Sequence, residues 1–142
     1  MQAHEWIDRI RAEAGLAHEE EARALADAIL TALGERVTPG LARNVASQLP
    51  QEFQGCLTHP HRTRLTGGAD AFVRRVQDLW QDASGERHTL PLEAVKGALD
   101  SLAAALSPGQ TDNLLGQLPE DLDRLLQGRT PQATQGTQPL RL

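Results

Sequence analysis

Tyrosine is absent from this 142-residue chain, and two phenylalanines and two tryptophans are its whole aromatic complement. Strands draw on aromatic and β-branched residues, so this scarcity speaks against a sandwich or barrel. The single cysteine excludes a disulfide framework within one chain. Lysine occurs once, at Lys96, and 14 basic residues face 19 acidic ones for a net charge of −5. Nonspecific nucleic-acid binding needs clustered positive charge, so no nucleic-acid partner is expected. No stretch approaches the ~18 apolar residues of a membrane span. The first residues carry neither the basic nor the apolar block of a signal peptide, which makes the cytoplasm the expected location. What the chain has in plenty is alanine, 20 residues, and leucine, 22. Both are strong helix formers, and an all-α protein is expected.

The chain also repeats itself, a signal that takes precedence over local patterns. Val37-Thr38-Pro39-Gly40 returns as Leu106-Ser107-Pro108-Gly109, and Gln48-Leu49-Pro50 returns as Gln117-Leu118-Pro119, at a constant offset of 69. Asn44 meets Asn113 at the same offset. Upstream the offset is 66, pairing Trp6-Ile7 with Phe72-Val73 and Ile10 with Val76. The second copy is therefore three residues longer near Ala83 to Thr89.

Each copy reads as four helices. The first runs from His4 to Ala14, with Trp6, Ile7, Ile10 and Ala14 on one face and Gly15 as its C-terminal cap. The second runs from His18 to Leu33, with Ala22, Leu25, Ile29 and Leu33 inward and three glutamates in the first turn, favoured by the helix dipole. Thr38-Pro39 supplies an N-cap hydroxyl and a proline where no backbone donor is needed. Leu41, Val45 and Leu49 follow at helical spacing, and Pro50 starts a short fourth helix with Phe53 and Leu57. The second copy follows the same plan through Phe72, Val76 and Trp80, then Val95, Leu99, Leu102 and Leu106, then Leu114 and Leu118, then Leu122, Leu125 and Leu126.

The expected architecture is two tandem four-helix repeats, residues 1–57 and 70–127, related by duplication. They pack around a joint core as one compact domain, because a unit of about 55 residues buries too little surface alone. Residues 58–69, with His59-Pro60-His61, Arg62, Arg64 and Gly67-Gly68, read as a linker. Residues 128–142 have little to bury and read as a disordered tail that is either a frayed end or, through Leu140 and Leu142, a docking peptide.

The paired Ser/Thr-Pro-Gly segments, each closing in Leu-Pro and an acidic or amide pair, resemble the bacterial domain-of-unknown-function family 2267. Its members look like tandem helical units with a signature akin to LSPGEADDLAAQLPEDL in each. That signature stands here as Val37 to Phe53 and, more closely, as Leu106 to Leu122. The helices Glu5–Ala14 and Asp70–Ala83 fit the family's FLERVAERAG-like openings, so the resemblance spans residues 4–127. In the first copy Leu41-Ala42-Arg43 replaces the usual acidic run after Pro-Gly. The resemblance implies an all-helical bacterial cytoplasmic protein and brings no activity or catalytic residue with it.

Several groups of residues invite a functional reading. Asn44 with Gln48, and Asn113 with Gln117, sit at i and i+4 and so share helix faces. These amides are placed to bind a ligand across the two copies, to stand in solvent, or to cap a neighbouring helix. Cys56, His59 and His61 offer one sulfur and two nitrogens, the donor types zinc takes, with a fourth ligand unassigned among His4, His18 and His88. The plainer account is a packed cysteine beside two solvated histidines. A catalytic Cys-His pair there lacks an orienting third group and an oxyanion site. His59, His61, Arg62, Arg64, Arg74 and Arg75 are the one basic region, a docking surface for an acidic group or simply a solvated linker. Glu20, Glu21 and Asp27, and Asp121 and Asp123, fall mostly on solvated helix faces, so no acid–base role is assigned to them. Trp6 and Trp80 suit either core or partner surface.

The function expected from these features is that of a non-enzymatic interaction or scaffold module binding a protein partner, with self-association open. The alternative is a small-ligand or metal-binding module built on Cys56, His59 and His61. No cofactor and no membrane association are expected.

Overall fold

The computed structural model describes residues 2–58 and 67–117. They form seven helices: α1 (Ala3–Ala14), α2 (Glu19–Gly34), α3 (Pro39–Ala46), α4 (Gln51–Thr58), α5 (Ala69–Ser84), α6 (Leu92–Ala105) and α7 (Pro108–Gly116). No strand occurs among the described residues, and no helix among them is long and apolar enough to cross a membrane. The expected helix over Leu122 to Leu126, the tail 128–142, and His59, His61, Arg62 and Arg64 of the linker lie outside the described residues.

Helix ends follow backbone chemistry. α1 stops at Gly15, whose φ of 70° returns its N–H to the Arg11 carbonyl. Gly85, at φ 76°, ends α5 in the same left-handed turn, a conformation strained for any residue with a Cβ. Thr38 Oγ1 accepts from the Leu41 N–H at 3.3 Å, with Pro39 as the first helical residue. Ser107 repeats this ahead of α7, accepting from the Gln110 N–H at 3.3 Å.

Packing places α2 in the middle, against α1, α4, α5 and α6. Its expected inward face, Ala22, Leu25, Ile29 and Leu33, is buried, and so are Ala24, Ala26, Ala28, Leu30 and Ala32. The one-sided reading was too narrow because four helices cover α2, and its alanines let them come close. α1 lies on α6 at a point where a Cβ on Gly97 would stand 2.7 Å from the Glu13 carbonyl oxygen. Ser101, one turn on, donates to Glu13 Oε2 at 2.7 Å and to the Gly97 carbonyl at 3.0 Å.

A single apolar cluster joins both halves of the chain, from Trp6, Ile7 and Ile10 to Leu99, Leu102 and Leu114. Both tryptophans belong to it. Trp6 meets the Phe53 ring edge-on at 4.9 Å, and Trp80 is fully buried. This core position removes the two indoles from any partner surface. Arg75, grouped by sequence with the basic linker, instead forms a bidentate pair with Glu35, at 3.0 Å from Nε and 2.7 Å from the terminal nitrogen. Glu35 is buried at the end of α2, and its carboxylate raises the Arg75 pKa.

Candidate functional site

The four amides singled out by sequence sit near the α3–α7 contact, where two of them meet the opposite half of the chain. Gln48, two residues beyond the end of α3, accepts from the Ser107 N–H at 2.8 Å and donates to the Ser107 hydroxyl at 3.1 Å. Gln117, after α7, accepts from the Thr38 N–H at 2.9 Å. Each glutamine thus satisfies the N-cap residue of the other half's helix, and residues equivalent at offset 69 exchange equivalent bonds. Asn113 donates to Gln110 Oε1 on its own helix, at 3.4 Å, and Asn44 accepts through its backbone carbonyl from Ser47. Of the roles open to these amides, Gln48 and Gln117 show the bonds of a cap on a neighbouring helix.

Cys56 points inward from α4. Its thiol donates to Asp27 Oδ1 on α2 at 3.4 Å. Burial, with the Asp27 carboxylate beside it, pushes the thiol pKa up to about 11. Burial likewise raises the Asp27 pKa. A thiol held in this way is a poor metal ligand and a poor nucleophile at neutral pH, since both tasks need the thiolate. His59 and His61, the other members of that triplet, lie outside the described residues.

A different cluster forms where the α5–α6 loop returns over α2. Glu21 in the first turn of α2, Glu86 and His88 bring their donor atoms within 4.8 Å of one another. His88 Nδ1 is 3.3 Å from Glu86 Oε1. The loop is fixed from below. Gln81 Nε2 donates to the carbonyls of Arg87 and His88, at 3.4 and 3.0 Å. Gln77 both donates to and accepts from the backbone of Leu90, at 2.5 and 2.8 Å. The His88 ring stands edge-on to Trp80 with centroids 5.1 Å apart, and Trp80 Nε1 donates to the Glu21 carbonyl at 3.1 Å. Sequence reasoning left His88 unplaced and did not single out Glu86. The available signal was the change of offset from 66 to 69 across this loop.

On the other side of the same loop, Asp70, Val73, Arg74, Gln77, Leu90 and Leu92 line a surface concavity. Leu92 is 42% exposed, the one large apolar side chain so exposed among the described residues.

Fold and site together define an all-α protein in which much of the polar chemistry that drew notice in the sequence is spent on joining helices. The chain belongs to the family described as "Uncharacterized conserved protein (DUF2267)", whose model matches residues 3–125. No functionally curated protein matches the sequence.

Proposed function

We propose that this protein is a non-enzymatic helical binding module that engages a protein partner at the α5–α6 face around Leu92. The reading takes its two halves as a duplicated pair and its setting as the bacterial cytoplasm, both suggested by the sequence. The observation that carries it is Leu92, a leucine left 42% exposed beside half-buried Val73, over the buried floor of Leu90. A folded chain gains about 25 cal/mol for each Å² of apolar surface it covers, and this leucine lies at the rim of a concavity. Asp70 and Arg74, one turn apart on α5, put both charge signs beside it. The complementary occupant is a short segment of another protein that lays one large apolar side chain between a basic and an acidic residue.

Site-specific photocrosslinking in the producing cell tests this. A benzophenone side chain at position 92 is expected to capture one protein species reproducibly, and the same probe at exposed Arg43 is not. Equal capture at both positions, or none at position 92, overturns the reading. Capture of a second copy of this chain alone replaces the partner with a homo-oligomer and also overturns it.

A further inference from the structure

We propose that Glu21, Glu86 and His88 form a binding site for a divalent transition-metal ion of the zinc class. The donor set is two carboxylates and one imidazole, all accepted by zinc at about 2.0–2.2 Å. Two ligands at that distance from a tetrahedral ion stand roughly 3.3 Å apart, and His88 Nδ1 already lies 3.3 Å from Glu86 Oε1. The remaining separations, within 4.8 Å, close by rotation of the part-buried Glu21 and Glu86 side chains and the exposed His88. Glu21 Oε1 keeps its bond from the His18 N–H at 3.1 Å, which leaves the other carboxylate oxygen for the ion.

Preorganisation distinguishes this trio from scattered surface charge. One buried indole connects the parts, its N–H held by the Glu21 carbonyl and its ring packed against the His88 imidazole. Gln77 and Gln81 fix the backbone that carries the imidazole. Metal sites depend on this kind of outer support for ligand orientation. Glu86 and His88 also come from the stretch that is three residues longer than its counterpart in the first half of the chain. Electrostatics favour a cation. Glu19 and Glu20 accompany Glu21 in the first turn of α2 and offset the positive end of its dipole. Arg87, the cation between Glu86 and His88 in the chain, is exposed to solvent, and Arg11 is held on the Ala17 carbonyl at 3.2 Å. The three ligands are separate from the partner reading, since none of them lines the concavity around Leu92, although Gln77 borders both.

The test is a calorimetric titration of the untagged, chelator-stripped full chain with zinc chloride, with circular dichroism on every variant. One ion per chain is expected, with a raised melting temperature. His88→Ala and Glu86→Gln, both in a partly exposed loop, are each expected to weaken binding at least tenfold and to abolish the thermal shift. Cys56→Ser and a His59→Ala/His61→Ala double variant are expected to bind as the parent does. Absence of binding by the parent overturns the proposal, as does parental affinity in His88→Ala or Glu86→Gln. Loss of binding in the Cys56 or His59/His61 variants, with His88→Ala unaffected, moves the ion to the linker and equally overturns it.

Discussion

Replacing Gly97 with alanine pits two effects of opposite sign against each other, and the structure decides between them. Alanine in a helix interior is favoured over glycine by about 1 kcal/mol. Against this, the new Cβ would sit 2.7 Å from the Glu13 carbonyl oxygen and 2.9 Å from its carbon. Both are backbone atoms of α1 and cannot rotate aside, so α1 and α6 must separate by several tenths of an ångström. Overpacking of this kind costs about 1–3 kcal/mol, and a backbone obstacle belongs at the upper end. Separation also stretches the 2.7 Å bond from Ser101 to Glu13. The net expectation for Gly97→Ala is destabilisation by about 2 kcal/mol. Gly55, exposed on α4 with nothing within 4 Å of its added Cβ, is the matched control. Gly55→Ala should stabilise by about 0.5–1 kcal/mol through propensity alone. Urea denaturation of both variants beside the parent reads the two signs directly. If Gly97→Ala stabilises as much as Gly55→Ala, the close α1–α6 crossing is not there and the argument fails.

Three further outcomes follow from the packing of polar groups. Gln48→Ala and Gln117→Ala should each lower stability by about 0.5–1.5 kcal/mol, the net worth of an exposed hydrogen bond or two, and a null result in denaturation would show that the exchanged caps do not persist in water. Arg75→Met leaves the buried Glu35 carboxylate without its bidentate partner and should cost about 1.5–3 kcal/mol, whereas Arg74→Met on the exposed neighbour should be neutral; equal effects would refute the pairing. Cys56, with its thiol raised from 9.0 to about 11, should react with a disulfide reagent at pH 8 roughly 100-fold more slowly than after unfolding, from thiolate fraction alone. Because the folded pKa is the higher one, the protonated thiol's contribution to stability is complete below pH 9 and is lost as pH rises towards 11. Cys56→Ser should flatten that loss, and an unchanged pH profile would contradict the burial argument.

Much of the helical framework could be read from local chemistry. Thr38-Pro39 and Ser107-Pro108 start helices because a hydroxyl and a proline suit the first turn, and Gly15 ends one because only glycine enters the left-handed turn cheaply. Leu41, Val45, Leu49, Phe53 and Leu57 are buried as their spacing requires. What the periodicity of α2 concealed was its central position. An alanine counts little in any apolar pattern, and Ala24, Ala28 and Ala32 are buried only because helices arrive from several directions. The Glu35–Arg75 pair was hidden for a related reason, as 40 residues separate its members and each alone looks like ordinary surface charge.

The site tells the same lesson more sharply. Cys56, His59 and His61 drew notice because they are neighbours in sequence, and neighbours are the clusters that a one-dimensional reading finds. Glu21 stands 65 residues from Glu86, and the two meet because Trp80, buried on α5, ties its indole to the first turn of α2. No spacing rule links these residues, since the connection passes through a side chain rather than along the chain. The change of offset between Ala83 and Thr89 was nevertheless visible, and it marked where the spacing of the matched residues changes. A loop that only had to span from α5 to α6 would need turn residues and no more. This one leaves α5 through Gly85 in the left-handed turn, is held on Gln81 and Gln77, and returns to the core at Leu90. The restraint falls on the backbone that carries His88, whose Nδ1 lies 3.3 Å from the Glu86 carboxylate.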